Sequence, residues 1–280
     1  MPCRRKSPDT QRPSGLSVTE IRKTAIDAAR KAGLLLKEHL GEARQIEFKG
    51  AVDLVTEMDK RAEALIISDL KVAFPDHGIL TEESAEVKTS TGHRWIIDPL
   101  DGTTNYAHGL PFFCVSIAFE TAGKVALGVV YNPMLDELFV AEPGKGATLN
   151  GRAITVSKTD ALDRSLLATG FPYDLRTSKE NNLDNFTLFT LRAQAIRRAG
   201  SAALDLSYVA AGRFDGFWEM KLKAWDVAAA ALIVTEAGGR ITDFTGGEFS
   251  IFGGRCLASN GLIHGEMLDT LLKKEIDIDL

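Results

Sequence analysis

From Val18 the apolar positions Ile21, Ala25, Ala28, Ala32, Leu35 and Leu36 fall three and four residues apart, which predicts an amphipathic helix to about Leu40. A second helix is predicted from Glu57 to Phe74. Its apolar side is Ala62, Leu65, Ile66, Leu70 and Ala73, with Thr56 placed to cap it and Pro75 to end it. The period then shortens. Gly78–Leu80 and Trp95–Ile97 are brief apolar runs that read as buried strands. Phe113–Glu120, Lys124–Tyr131, Glu137–Ala141 and Gly146–Leu149 read as further strands. Turns at Ala122-Gly123, Asn132-Pro133 and Pro143-Gly144 join them into an antiparallel meander. The second half predicts a strand at Leu166–Thr169, helices near Lys179–Ala193 and Ala202–Ala211, and a strand at Phe214–Trp218. An alanine-rich buried helix then opens at Asp226 and closes at Gly238-Gly239, and a last helix follows Asn260. Mixed α and β is the outcome, without repeats or long linkers, in one large or two closely packed domains.

Residues 1–15, MPCRRKSPDTQRPSG, break the pattern: proline, serine and charge without apolar periodicity predict a disordered extension ahead of a single domain over 16–280. The extension is basic but lacks the apolar centre of a signal peptide, so a plain extension or a misassigned start is favoured over an Arg-rich targeting role. With 38 acidic against 33 basic side chains and a net charge of −5, the chain does not suggest a broad nucleic-acid footprint. Arg197-Arg198 is the best internal basic pair, and it reads as a strand-end ion-pair partner or subunit contact. No run approaches the roughly 20 apolar residues of a membrane span, so the expectation is a soluble, cytoplasmic protein with no membrane partner. Cys3, Cys114 and Cys256 show no metal or paired spacing and predict reduced thiols, the last two in apolar strands. The five histidines show no ligand spacing.

Candidate chemistry concentrates in WIIDPLDGTTNYAH, Trp95–His108. Asp98 ends an apolar run. Pro99 biases Asp98 toward extended backbone and turns the chain, so that Asp101 can come back to the same side. Gly102 permits close backbone approach, and the following N–H groups and threonine hydroxyls suit anionic oxygens. The pattern reads as a cation site beside a phosphate site, although Asp-Pro and Asp-Gly are also ordinary turn dipeptides. Glu82, in LTEES at the end of another short run, is a further candidate ligand. So is Asp226, whose plainer role would be to cap its helix. Four clustered carboxylates repel by roughly 1–3 kcal/mol per pair at ~5 Å for effective dielectrics of 80 to 20, so they call for cations. Oxygen ligands without cysteine or histidine suit Mg²⁺.

Three blocks in order, EES at Glu82–Ser84, WIIDPLDGTTN at Trp95–Asn105 and WDVAAAALIVTEAGG at Trp225–Gly239, make the chain resemble the inositol monophosphatase family. DLVTEMD at Asp53–Asp59 and IRRAGSAALDLSYVAAGRFDGFWE at Ile196–Glu219 resemble its bacterial branch. The resemblance covers Val18 to the C-terminus. It implies an α+β fold, the layered αβαβα sandwich of the inositol monophosphatase and fructose-1,6-bisphosphatase type. It also implies a lithium-sensitive, Mg²⁺-dependent phosphomonoesterase acting on inositol monophosphate or a similar small phosphorylated polyol, in a homodimer.

Position by position, the resemblance implies two or three Mg²⁺ ions per site. Glu82, Asp98 and the Leu100 carbonyl match ligands of one ion, and Asp98, Asp101 and Asp226 those of a second. Glu82 with waters serves a third, weaker site. Gly102 and Thr103 match phosphate contacts, and Thr103 with Asp59 matches the pair that helps activate water. On the substrate side, Glu219 matches a carboxylate that contacts an inositol hydroxyl, and Gly200, Ser201 and Ala202 match the turn facing the ring. Lys49 matches a lysine near the metals, but as an isolated lysine beside Gly50 it also reads as a solvated loop residue. Lys223 stands where animal members carry histidine, which leaves histidinol phosphate, fructose bisphosphate or nucleotide phosphates as alternative substrates. A regulatory role in RNA and transcription complexes, known for a bacterial relative, is the alternative of a different class.

Overall fold

The computed structural model describes residues 17–42, 46–48 and 54–273. The extension at 1–15, Cys3, and Lys49 with the start of the DLVTEMD segment lie outside the described residues. In chain order the first half contains α1 (Val18–Glu38), β1 (Ile46–Phe48), β2 (Leu54–Thr56), α2 (Glu57–Ala73), β3 (Gly78–Thr81), β4 (His93–Asp101), α3 (Thr103–Ala107), β5 (Cys114–Thr121), β6 (Lys124–Asn132), β7 (Glu137–Ala141), β8 (Ala147–Leu149) and β9 (Arg152–Ile154). The second half contains β10 (Leu166–Thr169), α4 (Leu183–Thr190), β11 (Ala195–Arg197), α5 (Ala202–Ala210), β12 (Gly216–Met220), α6 (Ala224–Glu236), β13 (Arg240–Thr242), β14 (Arg255–Ser259) and α7 (His264–Lys273).

Seven strands form one sheet in the order β3-β4-β5-β6-β7-β8-β9, and five form another in the order β11-β10-β12-β14-β13. Alternation along each strand builds the layers. On β4, Trp95 and Ile97 join the core shared with α1 and α2, whereas Ile96 faces the core shared with α5 and α6. On β12, Phe217 faces α5 and α6 while Trp218 faces the core that includes Phe189 of α4 and Met267 of α7. The result is helices, sheet, helices, sheet, helices, the expected αβαβα sandwich. Gly128 on β6 permits a close contact between layers. A Cβ there would lie 2.4 Å from the Ala229 carbonyl oxygen, so the alanine-rich α6 can press directly on the sheet.

Two elements depart from expectation near the site. The segment after Asp98 does not leave the sheet at Pro99. β4 continues to Asp101, with Asp98 opposite Ser116 and Asp101 opposite Cys114, so a β-bulge rather than a turn re-aims the second carboxylate. The helix expected over Lys179–Ala193 is only Leu183–Thr190. Asn182 precedes it with φ 70°, and its buried amide donates to Thr169 and Gly170, holding the chain out of helix. The short β9, β11, β13 and α3 were too brief to leave a periodic signal. Cys114 and Cys256 are buried free thiols, as expected. Among the described residues no helix is long and apolar enough to cross a membrane.

Candidate active site

β3 and β4 run parallel, with Thr81 beside Ile97, so Glu82, just past the end of β3, comes beside Asp98, which lies within β4 ahead of its bulge. The β4 bulge brings Asp101 to the same edge, and the α6 terminus delivers Asp226 from the adjoining layer. These four carboxylates line one cavity of about 430 Å³ with Leu100, Gly102, Thr103, Ser201, Ala202 and Glu219. The cavity therefore gathers every candidate site residue singled out from sequence except Asp59 and Lys49. Asp59 stands behind Thr103 rather than in the cavity wall, and Lys49 lies outside the described residues.

Hydrogen bonds fix most of this wall. Asp98 Oδ1 accepts from the Leu100 N–H at 3.0 Å. Asp101 Oδ2 accepts from Ser201 Oγ and from the Ala203 N–H, each at 2.7 Å, so the start of α5 is tied to the end of β4. Ser201 thus lines the cavity with its hydroxyl committed to Asp101. Asp226 is a first-turn residue of α6, not its cap, and its Oδ2 accepts from the Lys223 N–H at 2.7 Å. Gly102 sits at φ 102°, where a Cβ would lie 3.0 Å from the Phe112 carbonyl, so glycine is required at that corner. Thr103 Oγ1 is 3.0 Å from both Asp59 Oδ1 and the Leu100 carbonyl, and its single proton serves one of them at a time. Asp59 itself is locked by Thr56, whose N–H and hydroxyl donate to Oδ2 at 2.8 and 2.6 Å.

Burial sets the electrostatics. It raises the Asp98 carboxyl well above the ordinary aspartate range, reinforced by the charges of Glu82, Asp101 and Asp226 and opposed by the Leu100 N–H. Burial likewise raises Asp101, against hydrogen bonds from Ser201, Ala203 and Ala202. Asp59 is also raised by burial, against its bonds to Thr56 and Thr103. Glu219 is pushed up to about 8 by burial and then by the charges of Asp226 and Asp101, with Arg198 opposing. Its carboxylate lies over Gly170, where a Cβ would come within 2.2 Å of Oε1.

Several buried carboxylates of like charge, a backbone carbonyl, and no cysteine or histidine in the cavity wall fit a hard divalent cation. Among the described residues, no three of His, Cys, Asp and Glu are gathered tightly enough to hold an ion as they stand.

Four contributors were not anticipated. Asp205, one turn after Ser201 on α5, lines the cavity at 1% exposure, and its Oδ1 has no hydrogen-bond partner. Arg198 lines the cavity just past β11 and opposes the raised pKa of both Asp205 and Glu219, where only a strand-end contact was expected. Asn105 donates to the Phe112 and Ala199 carbonyls at 2.7 and 2.8 Å, stapling the Gly200 turn to the DGTTN segment. Glu63 on α2 accepts from Thr81, Glu83 and Ser84 around Glu82. Of these, Asn105 carried a signal, its place inside the DGTTN block. The 3.6 period offers Asp205 and Glu63 only as residues one turn from Ser201 and Asp59.

Comparison with known proteins agrees with this fold. The family model described as inositol monophosphatase family matches residues 17–277. An inositol-1-monophosphatase of Synechocystis is 47% identical over 249 residues, covering 88% of this chain and 87% of that protein. The Nus factor SuhB of Escherichia coli is 45% identical over 247 residues, covering 87% and 92%. Among solved structures, the extragenic suppressor protein suhB of Bartonella henselae superposes with a TM-score of 0.85 at 43% identity, covering 90% of this chain and 98% of that one. The inositol monophosphatase of Anabaena gives 0.84 at 43%, covering 91% and 96%. With its fold and nearly its whole length in agreement, the chain belongs to the inositol monophosphatase family.

Proposed function

We propose that this chain is a Mg²⁺-dependent phosphomonoesterase that hydrolyses inositol monophosphate or a similar small polyol phosphate. The observation that carries the reading is the convergence of Glu82, Asp98, Asp101 and Asp226, from three distant segments, on the cavity that also holds Thr103 and Glu219. The residues that would hold the ions are Glu82, Asp98 and the Leu100 carbonyl for one, and Asp98, Asp101 and Asp226 for a second. Glu82 with waters would serve a third. The chemistry supplied by bound Mg²⁺ is electrostatic: acidification of a water and neutralisation of the phosphate and the leaving alkoxide.

The chain's own residues position the reactants. When Thr103, which lines the cavity, donates its proton to Asp59, its oxygen keeps lone pairs that can accept a hydrogen bond from water, and that bond would orient the water for in-line attack. Glu82, just past β3, would share in holding that water. Gly102 and Thr103 present backbone N–H groups to phosphate oxygens. Across the cavity, Glu219 accepts from a substrate hydroxyl, and Ser201 and Ala202 form the turn beneath the ring. No covalent intermediate is required.

Phosphate release from inositol-1-phosphate, fructose-1,6-bisphosphate, histidinol phosphate and 3′-phosphoadenosine 5′-phosphate, with and without Mg²⁺, tests the reading beside Asp98→Asn. Metal-dependent release led by the inositol ester and lost in the variant supports it; release from none of the four sinks it. A second reading rests on the relatives named Nus factor SuhB: a regulatory protein of the same fold that works in RNA and transcription complexes. Asp98→Asn separates the two, because a cellular role that survives loss of hydrolysis does not need the chemistry. Assembly as a homodimer in the cytoplasm belongs to the same proposal, and a sedimentation mass of one chain would refute the dimer.

A further inference from the structure

Asp59 and Glu63 lie one helical turn apart on α2, both buried and both directed toward the strand ends that carry the candidate ligands. Asp59 holds Thr103. Glu63, at 3% exposure, holds a different wall. Its Oε2 accepts from Thr81 Oγ1 at 2.7 Å and from the Glu83 N–H at 3.0 Å, and its Oε1 accepts from the Ser84 hydroxyl. The donors flank Glu82 in sequence on both sides. Thr81 is anchored beside Ile97 in the sheet, and Val87 closes the loop by exchanging both backbone hydrogen bonds with Ile79 at 2.8 Å. Glu82 therefore sits at the tip of a short loop whose inner lining is one buried carboxylate.

We infer that Glu63 is a positioning residue for the metal site: through Thr81, Glu83 and Ser84 it fixes the backbone on which Glu82 is presented to Asp98. This rests on the proposed metal reading of Glu82. The physical basis is that a buried carboxylate with three donors is satisfied in one arrangement of those donors, and leaving them unmet is costly. Groups that orient a metal ligand typically contribute 10- to 100-fold in metal affinity. A loop free to choose its own conformation would have to be ordered when the ion binds, and that cost would appear as weaker binding.

The test is calorimetric titration of Mg²⁺ into the full-length protein without substrate. It compares the parent with Glu63→Ala, Glu63→Gln and the double variant Thr81→Val, Ser84→Ala, each shown by circular dichroism to be folded at the assay temperature. Glu63→Ala removes all three acceptor contacts and is expected to weaken Mg²⁺ binding at least about tenfold. Glu63→Gln can rebuild the contacts, its oxygen accepting from Thr81 and Glu83 and its amide donating to Ser84, so its affinity should recover most of that loss. In phosphate release, Glu63→Ala should regain kcat as Mg²⁺ is raised, with KM for substrate little changed. If Glu63→Ala does not fold, the double variant, which leaves only the Glu83 N–H on Glu63, should weaken Mg²⁺ binding by about threefold or more. A folded variant that melts earlier yet binds Mg²⁺ like the parent makes Glu63 a structural residue only and overturns the inference. If the parent itself binds no Mg²⁺, the metal reading falls and the inference falls with it; if the parent binds and Asp98→Asn does not, the reading stands and the Glu63 variants decide alone.

Discussion

The two walls of the cavity are built differently. On the wall formed by β3, β4 and the start of α6, nearly every functional group is held by another part of the protein: Asp98 by the Leu100 N–H, Asp101 by Ser201 and Ala203, Asp226 by the Lys223 N–H, Thr103 by Asp59. On the opposite wall, Asp205 has an oxygen without a partner, and Glu219 is shifted by burial and neighbouring charge alone. On the proposed reading, the difference matches the substrate's two ends. A phosphate ester is the same in every candidate substrate, so its wall can be prepared in advance. The group it leaves behind brings its own hydroxyl donors, and acceptors that meet them must stay unsatisfied until it arrives.

The largest break in that comparison comes from the prepared wall. Asp98→Asn should lower kcat by roughly 10³-fold or more for every substrate hydrolysed, because it removes a carboxylate assigned to two ion sites. A loss confined to one substrate would contradict the division of labour. Thr103→Val should cost about 10²-fold in kcat with little change in KM, since it orients water rather than binding the alcohol. Steady-state kinetics at saturating Mg²⁺ check both.

The open wall should respond selectively. Glu219→Gln is expected to lower kcat/KM for the inositol ester by about 1–3 kcal/mol, and to cost distinctly less for an aryl phosphate that brings no hydroxyl. Equal losses on both would place Glu219 with the phosphate chemistry instead. The smallest effect is on stability. Glu219 holds its proton in the fold up to about 8 but only to 4.5 in the unfolded chain, so between those values the native state carries more protons. Metal-free protein should therefore lose stability as pH rises from about 4.5 toward 8, with the raised Asp98 and Asp205 adding to the loss. Melting temperatures across that range with chelator present should fall by several degrees, and Mg²⁺ should flatten the slope. A rise with pH in chelator would refute the electrostatic account.

How much of this was legible follows the range of each interaction. The ends of α2 were readable because a capping threonine, an acidic first turn and a closing proline act within a few residues. β7 and β10 were readable to the residue from turn chemistry and apolar runs. The metal-ligand candidates were readable because motif blocks keep them at fixed local positions, and the family resemblance joined the blocks. α4 was overextended because the pull on Asn182 comes from Gly170 and Trp218, far along the chain. Glu63 and Asp205 were passed over because a lone carboxylate on an amphipathic helix looks the same whether it meets water or a buried loop.

By itself, the sequence determined the longer elements, the family and the identities of the four candidate metal carboxylates, because helix caps, strand alternation and motif spacing are written in contiguous residues. The tertiary structure alone decided that a bulge in β4 aims Asp101, that Ser201 and Asp59 are spent on holding other groups, and that Glu63 lines the loop of Glu82. Those outcomes depend on which faces pack against which, and long-range packing places side chains from distant segments at hydrogen-bond distance without leaving a local pattern to read.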